Sequence, residues 1–293
     1  IIILLGVIPL TVPQDVKNVS SEAEIQIRPG QRNAILELAD GKVYNLTSLE
    51  YGGNNRISEN IIVDSCCLDY LRPDTLIPVA LAWHKVIVPR GGEFQISLED
   101  GTRVWLNSES TLKYPEVFTG TTREVFLEGE AYFEVAKDKD KPFIVKTKEQ
   151  SIEALGTKFN VSAYPTDSLL TTTLLEGSVL LTTQNLLHPT VLKPNEQFVY
   201  NKRTRSALLQ QVDANRFVSW TTGYHYFPEQ SLEAILYRLS HVYGVQFTVK
   251  SEALNRRTFT GTFYRGQSIK DIMEIIHLSI PIRYKIDDHH VTI

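Results

Sequence analysis

Two stretches of this chain repeat one another sixty residues apart, ILELADGKVYNL from Ile35 and QISLEDGTRVWL from Gln95. Each follows a Pro/Gly/Arg cluster, Arg28-Pro29-Gly30 in one case and Pro89-Arg90-Gly91 in the other. Both read as two short strands around an Asp-Gly turn, so a duplicated hairpin is the basic unit. The side-chain period of a strand is two, and this fixes the register. A two-residue loop at Asp100-Gly101 would put Phe94, Ile96 and Leu98 on one face and Val104 and Leu106 on the other. A three-residue loop of Glu99, Asp100 and Gly101, with glycine in the left-handed position of a bulge, instead pairs Leu98 with Thr102, Ile96 with Val104 and Phe94 with Leu106. The same loop in the first unit pairs Leu36 with Tyr44 and Ala34 with Leu46.

A second recurrence, FLEGEAYFEV from Phe126 and LLEGSVLLTT from Leu174, sets Leu-Glu-Gly between strand-like runs. Gly41, Gly101, Gly129 and Gly177 are therefore the expected turn glycines. With no long helical pattern before about residue 231, the first part of the chain is predicted to be mainly β, either a β-sandwich or a solenoid-like stack of hairpins. After Trp220 the texture changes. Apolar residues at 232, 235, 236, 239, 242 and 243, with Ser231 before them and Gly244 after, predict an amphipathic helix. Strands over 245–249, 259–264, 282–286 and 290–293 and a second helix from Ser268 to about Leu278 complete a small α+β domain, one helix face packed on its sheet. The expected divisions are 1–12, an apolar start; 13–85, a β-hairpin extension; 86–212, the main β domain; and 213–293, the α+β domain. Ile1 to Leu10 is broken only by Gly6 and Pro9. Ten helical residues cover ~15 Å, half of a bilayer core, so this run is the end of a longer span, an apolar strand or a signal-peptide core.

Composition narrows the function. The 293 residues carry 30 basic and 34 acidic side chains, a net charge of −4, without the basic excess that nucleic-acid binding needs. No phosphate loop, dinucleotide-binding glycine pattern, zinc-protease motif or nucleophile elbow occurs. Glu128, Glu130 and Glu134 could supply an acid and a base, but beside a turn they read as solvated. His225, His241, His277, His289 and His290 gather in the last third without ligand spacing, and Lys137 to Lys141 reads as a solvated loop. Cys66 and Cys67 are adjacent and cannot staple distant segments; two free thiols are expected rather than a strained vicinal disulfide. The reading is of a protein with no catalytic residue, cofactor or metal. Six aromatic residues, Tyr224, Tyr226, Phe227, Phe259, Phe263 and Tyr264, are the candidates for a partner interface, with about half of them expected in the core. An edge strand of the small sheet is a natural place for a partner to add its own.

The run VPRGGEFQISLEDGTRVWLNSESTLKYP (88–115), followed by REVFLEGEAYFEV, KPFIVKT, ALGTKFNVSAYP and LLEGSVLL, resembles the FecR family of transmembrane sigma-factor regulators over about residues 85–182. Trp220 through Gly223 and Phe227, then LEAILYRLSHVYGV and FTGTFYRG, resembles the C-terminal domain of one branch of that family, which is similar to the secretin/TonB short N-terminal fold. Residues 15–85 match less sharply, although PGQRNAILELADGKVYNL resembles an extra hairpin of that branch. The resemblance implies an anti-sigma factor with a single inner-membrane span, for which Ile1 to Leu10 would be the end, and a periplasmic portion. Its implied partners are the signalling domain of an outer-membrane TonB-dependent transporter and, through a cytoplasmic segment absent from these residues, an extracytoplasmic-function sigma factor. The contrasting reading is an envelope-attached carbohydrate- or peptide-binding β module, which would place its ligand on residues 86–200 instead of 223–293.

Overall fold

The computed structural model describes residues 31–48, 55–63, 67–71 and 82–293. Up to Gln211 they form one large curled sheet whose two halves face each other across a shared core. The first layer runs, in spatial order, through Val43–Asn45, Ile35–Glu37, Trp83–Val88, Ser110–Pro115, the start of Arg123–Glu134, Phe143–Lys146, Gln150–Ala154, Val179–Thr183 and Thr190–Leu192. The second runs from Asn55–Arg56 through Ile61–Val63, Cys67–Tyr70, Gly92–Ser97, Arg103–Leu106, the end of Arg123–Glu134, Lys158–Ala163 and Leu169–Glu176 to Glu196–Asn201 and Ser206–Gln211. Alternation builds the core between them. Trp83–Val88 and Gly92–Ser97 each bury every second residue, and of these Val86, Val88, Phe94 and Ile96 join Phe133, Phe143 and Phe159 in one apolar cluster. Burying each such ring contributes about 2–3 kcal/mol.

The hairpin registers are those that alternation predicts. Phe94 pairs with Leu106 and Ile96 with Val104, and the Leu98 amide bonds the Thr102 carbonyl at 2.8 Å. Leu36 pairs with Tyr44, the Leu46 amide bonds the Ala34 carbonyl at 2.9 Å, and Gly41 and Gly101 both have φ of +83°.

Leu-Glu-Gly, by contrast, does not close hairpins. Arg123–Glu134 is one continuous strand, paired with Phe143–Lys146 in the first layer and with Lys158–Ala163 in the second. Gly129, φ +98°, is the corner at which it passes between layers, and a Cβ there would lie 2.4 Å from Ser110 Oγ. Only glycine combines that backbone with that contact. Gly177 does turn the chain, but Leu169–Glu176 and Val179–Thr183 belong to opposite layers and do not pair. Hairpins are thus laid alternately on the two layers, and the recurring motif marks the change of layer.

The C-terminal residues have a separate apolar cluster. Helix α1, Leu232–Tyr243, starts at Ser231, whose hydroxyl accepts the Ala234 amide at 3.2 Å, and ends at Gly244, φ +65°. Its buried residues are the six that periodicity picked out. Helix α2, Ile269–Ser279, opens with a capping box in which Ser268 and Asp271 bond each other's amides. The expected single sheet is instead two. Tyr224–Ser231 pairs with Thr258–Tyr264, while His290–Thr292 lies between Gln246–Thr248 and Lys285–Asp287, and both helices share their core with both sheets. The strand predicted over 282–286 begins only at Lys285, because the chain first folds Ile280 and Ile282 into the core. Among the described residues no helix is long and apolar enough to cross a membrane, and Ile1 to Leu10 and Cys66 lie outside them.

Candidate partner surface and the joint beside it

The ribbon formed by Tyr224–Ser231 and Thr258–Tyr264 carries all six aromatic candidates, and its alternation divides them. Residues 225 and 227 on one strand and 259 and 263 on the other face the helices. Phe227, Phe259 and Phe263 are accordingly core residues, the rings of Phe259 and Phe263 stacked at 5.6 Å over Gly261, and cannot form a partner interface. Tyr226 is half-buried beneath the Arg216 guanidinium, 4.6 Å from the ring centre. Tyr224 and Tyr264 face outward as directly opposed cross-strand partners, 49% and 51% exposed, with ring centres 5.2 Å apart. Of the six candidates, these two are the exposed ones. Two large rings held side by side on a paired ribbon offer apolar area at small entropic cost.

The same alternation turns His225 inward. It is 2% exposed, opposite Phe263, and neither ring nitrogen has a hydrogen-bond partner. Burial, with the Arg238 guanidinium adding repulsion, pushes its pKa from 6.5 down to about 3, so the imidazole is neutral. Among the described residues no cluster of three metal-ligating side chains occurs.

The exposed tyrosines adjoin the contact between the C-terminal unit and the β layers. Gly223 ends the short helical segment Ser219–Thr222, and its carbonyl accepts the Arg265 amide at 2.7 Å. Arg265 pairs with Glu93 of the second layer. Trp220, 1% exposed, donates its indole N–H to Asn160 Oδ1 at 3.3 Å. Asn160 donates in turn to Glu130 at 2.9 Å, and Asn107 donates to the other carboxylate oxygen at 2.8 Å. The solvated reading of the glutamate cluster therefore fails for Glu130, which is buried and committed to this network, while Glu128 is exposed on the first layer. Sequence reasoning missed the network because its members lie 23 and 30 residues apart.

A second group of contacts surrounds α1. Glu109 accepts from Arg90 Nε at 2.6 Å and pairs through its other oxygen with His241. The Gly91 amide donates to the His241 carbonyl at 2.9 Å. Tyr237 reaches across to Asp167, and its hydroxyl lies 3.1 Å from that of Thr166. Arg90 and Gly91 stand out in the sequence as part of a turn cluster and His241 as a helix histidine, but their contacts do not, since each is defined by its partner.

Comparison with known proteins agrees with this architecture. The family model for FecR protein matches residues 84–180, and the model for the FecR C-terminal region matches 224–293. No curated protein matches significantly. Two crystal structures described as an anti-sigma factor from Parabacteroides distasonis ATCC 8503, at 1.65 and 2.50 Å resolution, are similar to this chain with 30% identity and a TM-score of 0.66. They cover 71% and 72% of this chain, and the match takes in 97% of each of them. With both characteristic regions matched in order and a solved relative aligned over nearly its whole length, the chain belongs to the FecR family of anti-sigma factors.

Proposed function

We propose that this chain is the periplasmic relay portion of its anti-sigma factor, receiving a signal from an outer-membrane TonB-dependent transporter and passing it towards an extracytoplasmic-function sigma factor. The relay works by protein–protein contact, without covalent chemistry. In this reading an N-terminal inner-membrane span anchors the protein, a cytoplasmic segment holds the sigma factor, and residues 213–293 receive the transporter's signalling domain. The observation that carries it is the half-exposed Tyr224–Tyr264 pair, set within the region that matches the FecR C-terminal model. Each strand of that ribbon pairs only with the other among the described residues, so its edges can also accept a partner's backbone.

Titration calorimetry tests the proposal, using the chain without residues 1–12 and the signalling domain of a transporter encoded beside it. Tyr224→Ala and Tyr264→Ala should each weaken binding about tenfold or more, the cost of removing an interface aromatic. Binding that survives both substitutions would place the contact elsewhere.

The carbohydrate-binding alternative looks to the outward face of the first layer, where Trp83 and Phe126 lie 5.5 Å apart. Their planes are tilted by 60°, and Lys113 and Lys146 lie over the two rings at 5.3 and 5.8 Å. A sugar would have to displace both ammonium groups to stack there, which counts against this pair as a glycan site.

A further inference from the structure

The two apolar clusters do not merge. One ends with residues of the β layers and the other begins at Phe227. What joins them is mainly polar, apart from the buried Trp220 side chain and the Tyr164 ring, which lies against the His241 ring with centres 5.1 Å apart. Glu93 pairs with Arg265, and Glu109 holds both Arg90 and His241. The two carboxylates retain access to water, the Glu109 and Glu93 side chains being 28% and 24% exposed, while His241 and Arg265 opposite them are each 12% exposed. The Gly91 amide satisfies a carbonyl in the last turn of α1 that the helix leaves open. Opening such a contact exposes ions and peptide groups to a solvent that rehydrates them, and costs neither core its packing.

We infer that the contact is a latch: the C-terminal unit closes on the β layers through Glu93, Glu109 and the exposed contact of Tyr237 with Asp167, and it opens about the Trp220 segment while both cores stay folded. The inference deepens the relay reading and rests on it for its purpose. Arg265 follows Tyr264 directly, so a partner seated on the exposed tyrosines touches the residue next to the Glu93 bridge. The Tyr224 side of the pair follows Gly223, at the end of the Trp220 segment. The receiving surface and the latch are therefore adjoining parts of one ribbon end, and an event at the first bears on the second without passing through either core. The occupant that this arrangement fits is a protein domain broad enough to span Tyr224 and Tyr264 and to compete for the Arg265 guanidinium with a carboxylate of its own.

Hydrogen exchange resolved to single amides, on the whole chain and with no partner present, tests the latch. In a Glu93→Ala/Glu109→Ala variant, exchange at the Gly91 amide should rise about tenfold, the effect of losing the Glu93–Arg265 pair and the Glu109–His241 contact. The amides of Phe133 in the β core and Leu239 in the helical core should keep their rates. The reciprocal Glu93→Arg/Arg265→Glu variant should stay closer to the parent at Gly91 than Glu93→Arg alone. An unchanged Gly91 rate in the double alanine variant would overturn the inference, as would equal acceleration at Gly91, Phe133 and Leu239, which would make the contact part of one cooperative fold. A chain that opens as expected yet binds no transporter domain would refute the relay reading alone; one that binds but does not open would refute the latch alone.

Discussion

Acidification should weaken the C-terminal unit through one residue. His225 takes a proton at about 6.5 when the chain is unfolded but only at about 3 when folded, where it is buried opposite Phe263 with Arg238 near it. Between those values the unfolded state binds a proton that the native state refuses, so stability falls as pH falls. The slope is about 1.4 kcal/mol per pH unit for one such group, giving a loss of ~2 kcal/mol on going from pH 6.5 to 5 and a limit of roughly 5 kcal/mol below pH 3. Above pH 6.5 the contribution is constant. Because carboxylates elsewhere also titrate in acid, the diagnostic quantity is the difference between the parent and His225→Leu. Urea unfolding at pH 7.5 and pH 5, followed by far-ultraviolet circular dichroism of the helical unit, supplies it. The parent should lose about 2 kcal/mol more than the variant. At pH 7.5 His225→Leu should be neutral or stabilising, since it removes an unpartnered polar ring from an apolar site. Equal acid losses in the two proteins would refute the reasoning.

Two other substitutions separate roles that look alike in sequence. Gly129→Ala should cost at least ~3 kcal/mol, because a left-handed backbone and an overlap with Ser110 combine, whereas Gly101→Asn, with open space around its Cβ position, should cost less than ~1 kcal/mol; thermal unfolding midpoints measure both. Phe263→Ala should remove about 3–5 kcal/mol and melt the C-terminal unit, while Tyr264→Ala, one residue on but outward-facing, should change stability by less than ~0.5 kcal/mol, as denaturant titration of each would show.

What the sequence reveals is whatever is settled within a few residues. The Glu99-Asp100-Gly101 loop and the pairing of Phe94 with Leu106 follow from a period of two, and the buried stripe of α1 follows from a period of 3.6. Gly129 shows where this stops. A glycine with positive φ serves a hairpin and a change of layer equally well, and the two differ only in strand partners as remote as Phe143–Lys146 and Lys158–Ala163. The aromatic residues show a second limit. Alternation separates Tyr224 and Tyr226 from Phe227, but the inward position next to them holds His225, a polar residue that disguises which face is buried. Glu130 shows a third, since a buried carboxylate between exposed Glu128 and half-buried Glu134 has no mark of its own until Asn107 and Asn160 are brought to it.

The magnitude of the latch bears on whether it can serve a relay at all. A partner moves a two-state equilibrium only by the difference between its affinities for the two states, and a hundredfold difference supplies about 2.7 kcal/mol. The Glu93–Arg265 pair and the Glu109–His241 contact, each with a carboxylate that keeps access to water, resist opening by roughly 1 kcal/mol each, within that reach. Separating Phe227, Phe259 and Phe263 from α1 would cost about 3–5 kcal/mol for each ring, beyond it. A docking protein at Tyr224 and Tyr264 therefore has enough free energy to release the joint and too little to unfold what lies on either side. That ordering gives a defined change of arrangement rather than local melting, and it depends on the two cores remaining separate, with mainly polar contacts between them.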